Sequence, residues 1–220
     1  MMTNGTSIII GVGPGLGLAL ARAFAGAGHP TALLARNLER LEQYSQELQA
    51  PERSVRGYAA DAADPASLRS AIHAAIDDLG APEVMVYNAA LLRTDTPTDG
   101  DDTGWNNALA VDVLGAKISA ETVLPQLRDG RGSLLFTGGG LALAPSPDYA
   151  SVSVGKAALR AYVQALHSQL TGTEVHATSV TITGFIGGGE ERFDPSVLAQ
   201  AYLDLHHQPT TDWKPELLRD

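Results

Sequence analysis

The segment IGVGPGLGLALA, residues 10–21, places Gly11, Gly15 and Gly17 where an apolar run gives way to a helix-like one. Glycines at such a junction let backbone come close to a pyrophosphate at the positive end of a helix. A tight turn without a ligand is the plainer reading of a glycine run; a strand before it and a helix after it favour the phosphate cradle. The next strand-like run ends in ALLARNLERL, residues 32–41. Ala35 stands where a carboxylate would hold a ribose 2′-hydroxyl, and Arg36 follows it, suited to a 2′-phosphate. The pair favours NADP(H) over NAD(H), the alternative being an arginine in solvent at a helix start. Farther on, SPDYASVSVGKAAL, residues 146–159, opens a helix that carries Lys156, with Tyr149 seven residues earlier. That spacing puts both on one helix face but about 10.5 Å apart along the axis. Helical side chains lean toward the N-terminus, which carries Tyr149 away from Lys156. Tyr149 is thus a candidate acid or pocket residue, or packing at a helix start. Asp112, in AVDVLGA (residues 110–116), is a candidate proton acceptor if burial raises its pKa, or a cap at an internal helix break.

Such residues need a rigid frame. Strand-like runs cover 6–11, 30–35, 54–59, 83–87, 133–137 and 175–182. Helix-like spacing covers 15–28, 37–49, 65–79, 104–128, 147–171 and 195–206. Strands alternating with helices imply parallel βαβ units with right-handed crossovers. The expected fold is therefore α/β, a Rossmann-like doubly wound parallel sheet with helices on both faces. A chain of 220 residues is expected to form one NAD(P)-binding domain, 1–220, with a sizeable core. TDTPTDGDDTG, residues 94–104, and the glycine-rich 183–194 read as loops. The closing DWKPELLRD leaves a last strand that is short or missing.

Composition narrows the partners. The formal net charge is −10 and the pI about 4.9. A surface that negative repels phosphate backbones, so neither nucleic acid nor an anionic membrane is an expected partner. Without cysteine there is no disulfide or thiolate chemistry. The apolar stretch SIIIGVGPGLGLALARAFAGAG is broken by glycines and Pro14 and has no basic segment before it. It fits neither a spanning helix nor a signal peptide, and the protein is expected to be soluble and cytoplasmic. His29, His73, His167 and His176 stand alone in sequence, and the adjacent His206 and His207 would not share a helix face. Asp95, Asp99, Asp101 and Asp102 lack the spacing of a calcium loop and read as a solvated acidic loop. No metal site is expected.

Taken in order, the motifs resemble the short-chain dehydrogenase/reductase family, from residue 6 to about 186. The family signature T-G-x-x-x-G-x-G reads IGVGPGLG here, with Ile10 for the threonine. Asp61 in YAADAAD matches an adenine-contacting aspartate, and YNAA (87–90) is similar to N-N-A-G. VTITGFI (180–186) resembles a segment ending P-G-F-V, with Thr183 for the proline. Lys156 in GKAALRAY matches the lysine that holds the nicotinamide ribose. The resemblance implies cofactor contacts at Gly11, Gly13, Gly15, Leu16 and Gly17 in the turn, then at Arg36, Asp61, Ala62, Asn88 and Ala89. Lys156, Gly184 and Ile186 complete that set. It also implies a small-molecule substrate and a homodimer or higher homo-oligomer, paired through helices 104–128 and 147–171.

The family's catalytic set is mostly absent. Val152 occupies the position of the tyrosine acid, Gly138, Gly139 and Gly140 cross the serine position, and Asp112 stands for the asparagine. Lys156 alone is kept. Ser151 and Ser153 flank position 152 but point roughly 100° to either side of it, and Thr137, before the glycine run, either offers a hydroxyl or is an ordinary strand-end residue. Loss of a positioned acid costs about 10²–10⁴ in rate, whereas holding donor beside acceptor supplies about 7–11 kcal/mol. Redox chemistry is therefore slowed for an alcohol–ketone pair rather than forbidden. A substrate needing less proton assistance, such as an activated alkene or an iminium, fits better. Tyr149, Asp112 and Lys156 are the catalytic candidates. Three functions remain open: an NADP(H)-dependent oxidoreductase with an atypical site, a non-catalytic nucleotide-binding or partner-binding protein, and a non-redox cyclase or lyase reusing the pocket.

Overall fold

The computed structural model describes residues 4–220. Seven parallel strands form one sheet: β1 Thr6–Ile10, β2 Thr31–Ala35, β3 Val55–Ala59, β4 Pro82–Tyr87, β5 Arg131–Gly139, β6 Glu174–Ile182 and β7 Glu216–Arg219. Their order is β3-β2-β1-β4-β5-β6-β7, so the winding reverses between β1 and β4. The last strand is short, and it pairs with β6 from Ser179↔Glu216 to Ile182↔Arg219.

Period-two alternation splits the core into two layers. Ile8, Ile10, Leu34, Met85, Leu134 and Phe136 face α3 (Pro65–Leu79), α5 (Gly115–Val123) and α6 (Ala150–Gln169). Ile9, Leu33, Val84, Val86, Leu135 and Val180 face α1 (Leu16–Gly26), α2 (Leu38–Leu48) and α7 (Pro195–His206). Central strands buried on both faces are mostly apolar, which is why these runs lack the regular polar alternation of a half-exposed sheet; the buried Ser and Thr hydroxyls among them, such as Ser7 and Thr137, are hydrogen-bonded. No helix among the described residues is long and apolar enough to cross a membrane.

The helix expected over 104–128 is not continuous. It divides into α4 (Asp102–Leu109), a π-turn at Ala110–Leu114 and α5, and it ends in a 3₁₀ turn at Leu124–Gln126. A π-turn inserts an extra residue and frees a carbonyl, and here the Tyr87 hydroxyl donates to the Val111 carbonyl. A Cβ on Gly115 would lie 2.2 Å from that hydroxyl, so the turn needs glycine where the tyrosine reaches in. Asp112 sits inside this turn, fully buried.

The acidic stretch is also more ordered than its composition implies. Asp101 caps α4 by accepting from the Gly104 amide at 3.0 Å and pairs with Arg93 at 2.6 Å. Asp95 is not solvated: it is 5% exposed, and its Oδ1 accepts from the Ser151 amide at 3.0 Å in the first turn of α6. The Arg93 guanidinium lies 3.5 Å from its other oxygen. A residue 56 positions away thus caps the helix that carries Lys156, since Tyr149 at the N-cap offers no side-chain bond. Loss of a buried cap costs about 1–3 kcal/mol. Asp95→Ala is expected to lower Tm by about 3–10 °C in a thermal melt. Asp95→Asn, which keeps the accepting oxygen, is expected to lower it less.

Candidate active site

The reversal between β1 and β4 leaves a crevice at the carboxyl ends of the strands, where α1 and the β4 extension diverge to opposite faces. Its walls are held by close backbone contact. Gly11 has φ +90°, and a Cβ there would lie 2.4 Å from the Ala89 amide nitrogen. A Cβ on Gly17 would lie 2.6 Å from the Gly11 carbonyl oxygen, so α1 can approach the strand end only as glycine. Asn88 fastens the same point: its Nδ2 donates to the Gly11 carbonyl at 2.9 Å, and its Oδ1 accepts from Thr137 Oγ1 at 3.0 Å. The Thr137 hydroxyl has one proton, so the 2.7 Å contact with Tyr202 is donated by the tyrosine.

Gly13 and Gly15 are different. No heavy atom lies within 4 Å of a Cβ built on either. They border open space, and Gly15 is the N-cap of α1, which no side chain caps. A cavity of about 900 Å³ runs from these glycines past Asn88 and Gly138–Gly140 to Lys156, Gly184 and Ile186. A second chamber of about 350 Å³ shares Gly11, Gly13, Asn88 and Ala90 with it and reaches Arg36, Asp61, Ala62 and Ala89. Every residue expected to touch a cofactor therefore lines one or both chambers. Arg36 is exposed at the far end and makes no hydrogen bond or ion pair among the described residues. The donor set suits an elongated anionic ligand: free glycine backbone, an uncapped helix start and a free guanidinium.

At the other end, Lys156 is 7% exposed, and its Nζ donates to the Thr137 carbonyl at 2.9 Å. Burial pushes the lysine below its ordinary range, and the Asp112 carboxylate opposes that fall. Burial likewise raises Asp112, against the pull of Lys156 and the Leu91 amide that donates to its Oδ1 at 3.0 Å. Its Oδ2 is buried and has no hydrogen-bond partner. A Cβ on Gly155 would lie 2.9 Å from the Asp112 Cβ, so α6 and the π-turn are in contact just beneath the lysine.

The third catalytic candidate is elsewhere. Tyr149 is 37% exposed at the start of α6, bridged to Asp95, and does not line the cavity. Val152 does line it, 3% exposed, as do Leu92, Leu143 and Phe185. Ser153 is occupied, donating to the Tyr149 carbonyl at 2.8 Å and accepting from the Ser146 amide at 3.1 Å. The three consecutive glycines are not equivalent. A Cβ on Gly138 would lie 2.6 Å from Thr181 Oγ1, whereas one on Gly139 would meet only Lys156 methylenes at 3.8–3.9 Å. The start of the glycine-rich 183–194 borders the cavity, and the segment is held by an aromatic anchor that its composition does not announce. Phe193 is 2% exposed, its ring fills the place of a Gly184 side chain, and its carbonyl accepts from the Gly187 amide at 3.0 Å.

Comparison with known proteins agrees with this geometry. Residues 6–188 match the family model described as short chain dehydrogenase. An uncharacterized oxidoreductase of Staphylococcus epidermidis is 26% identical over 155 residues, covering 70% of this chain. The chain spans 66%, just under two thirds, of that relative's length. A short-chain dehydrogenase structure from Rhodopseudomonas palustris superposes with a TM-score of 0.87 at 24% identity, covering 98% of this chain and 97% of the other. An NADPH-bound short chain oxidoreductase of Pseudomonas aeruginosa, described as containing an atypical catalytic center, gives 0.86 at 20% identity, covering 98% and 94%.

The coupling of Asp112 to Lys156 has a direct consequence. Asp112→Asn removes the negative charge that holds the lysine up while leaving its desolvation in place. The Lys156 side-chain titration, followed by NMR, is expected to move to lower pH in this variant. An unmoved titration would show the two groups to be electrostatically independent.

Proposed function

The chain belongs to the short chain dehydrogenase family, and on that premise we propose that it is an NADP(H)-dependent oxidoreductase acting on a small organic substrate. The observation that carries this reading is the continuity of the crevice, from the free Arg36 guanidinium past Gly13 and Gly15 to the buried Lys156. When bound, the dinucleotide supplies a hydride donor or acceptor. The protein's residues do the rest. Arg36 receives the 2′-phosphate, Asp61 and Ala62 flank the adenine, and the start of α1 receives the pyrophosphate. Lys156 holds the nicotinamide ribose, fixed in position by the Thr137 carbonyl. The fold carries NADPH beside an atypical catalytic center in the Pseudomonas aeruginosa protein, which supports the same combination here.

No hydroxyl acid stands at the lining positions 138–140 or at Val152, and Thr137 is committed to Asn88 and Tyr202. Proton delivery is thus weak at this site. The walls contributed by Val152, Leu92, Leu143 and Phe185 are apolar. Together these features favour a substrate that takes up hydride with little proton assistance, such as an activated alkene or an iminium, over a simple ketone.

Titration with NADPH and NADH is expected to show tighter binding of NADPH. Arg36→Ala is expected to reduce that preference on the order of 10–100-fold, the worth of one charge-assisted hydrogen bond set. A screen that follows nicotinamide absorbance over enones, iminium ions and ketones is expected to give turnover with the first two. NADPH binding without turnover in any class would favour the binding-only alternative, and turnover independent of nucleotide a non-redox enzyme. Gly139→Ser combined with Val152→Tyr is expected to raise ketone reduction by about 10²-fold or more, because position 139 has room for a side chain beside Lys156. No gain in the double variant would count against a family-like placement of substrate.

A further inference from the structure

Three of the six histidines converge at the edge of the sheet opposite the cavity. His29 lies in the turn before β2, His206 ends α7 and His207 is its C-cap. One ring nitrogen from each lies within 4.8 Å of the other two. The isolation of His29 in the sequence is therefore undone by the fold, which brings its ring to the end of α7, where His206 and His207 stand side by side.

The hydrogen bonds fix which nitrogens are available. His29 Nδ1 lies 2.8 Å from the Gly5 carbonyl oxygen, which can only accept, so Nδ1 bears the proton and Nε2 the lone pair. That Nε2 is buried, in a residue 2% exposed, and has no hydrogen-bond partner among the described residues. His206 Nδ1 lies 2.9 Å from Ser133 Oγ, and its Nε2 is 3.9 Å from Glu83 Oε1. The other Glu83 oxygen accepts from the Gly5 amide at 2.6 Å, so one residue, Gly5, orients both the carboxylate and the His29 ring. His207 is exposed, which leaves its ring free to swing and gives an ion a way in.

We propose that His29, His206 and His207 bind a zinc-type divalent transition-metal ion, with the Glu83 carboxylate beside it supplying negative charge. Imidazole donors select zinc, nickel, cobalt or copper over calcium or magnesium. Tetrahedral zinc with Zn–N of about 2.0–2.1 Å needs ligand nitrogens about 3.4 Å apart. The three nitrogens lie within 4.8 Å of one another, so binding draws the rings together by about an ångström, and exposed His207 is the one with most room to move. Both inner rings have the outer-shell partner that metal-bound histidines use: the Gly5 carbonyl for His29 and the Ser133 hydroxyl for His206. The ion would tie the turn before β2 to the end of α7 and neutralise charge near Glu83. Its place at the amino edge of the strands makes it a structural site, independent of the redox reading.

The test uses the untagged protein, stripped with chelator and titrated with Zn²⁺, then Ni²⁺, by calorimetry and thermal melting. One equivalent is expected to bind, raising Tm by about 5–10 °C at a hundredfold excess over Kd. His207→Ala, at an exposed position, is expected to keep the chelated protein's Tm and weaken binding at least about 10–100-fold. His73→Ala, an exposed histidine outside the cluster, is expected to change nothing. Absence of binding, or equal binding by the wild type and His207→Ala, overturns the proposal and leaves the cluster as packing against Phe24.

Discussion

The structure turns on the contact between two strand ends at the point where the sheet reverses its winding. Gly11 meets the backbone of Ala89 with no room for a Cβ. The Asn88 side chain then links the Gly11 carbonyl to Thr137, joining the ends of β1, β4 and β5. An amide side chain suits this place because it donates and accepts at once. Because the ends are pinned so tightly, α1 starts close to the sheet with its first turn open to the crevice. The open amides of that helix end follow from this packing, and no side chain of the chain itself caps them.

The second constraint is a buried cation. Withdrawing an ammonium from water costs several kcal/mol even after relaxation. Lys156 recovers part of that through the Thr137 carbonyl and the field of Asp112. The same threonine therefore serves the glycine-turn end of the crevice through its hydroxyl contact with Asn88 and the lysine end through its carbonyl. Asp112 lies within the π-turn of the long helix, and Gly155 lets α6 come down on it. A carboxylate here, in place of an amide, adds an electrostatic dependence of the lysine on a group that is itself strained by burial.

Helix α7 connects the two edges of the molecule. Tyr202 donates to Thr137 near the cavity, and His206, four residues later, meets Ser133 at the opposite edge. The two contacts on β5 are also four residues apart, so one helix is fastened along one strand. Phe193, just before α7, packs on Gly184 and anchors the segment that borders the cavity. Packing at the amino edge thus bears on how firmly the cavity wall is held.

The sequence alone determined the alternation of strands and helices, because strands buried on both faces are short, predominantly apolar runs and amphipathic helices repeat at 3.6 residues. It also determined the glycine turn, since Gly11 and Gly17 sit where no other residue fits. Arg36, Asp61, Asn88 and Lys156 were legible by type and order along that frame. Tertiary structure decided what depends on approach between distant segments. The burial of Asp95 under α6, the π-turn around Asp112, the anchoring of Phe193 and the meeting of His29 with His206 and His207 leave no periodic trace. Hydrophobic period reports which face of an element is inside; it is silent on which polar side chain from another element will meet it there.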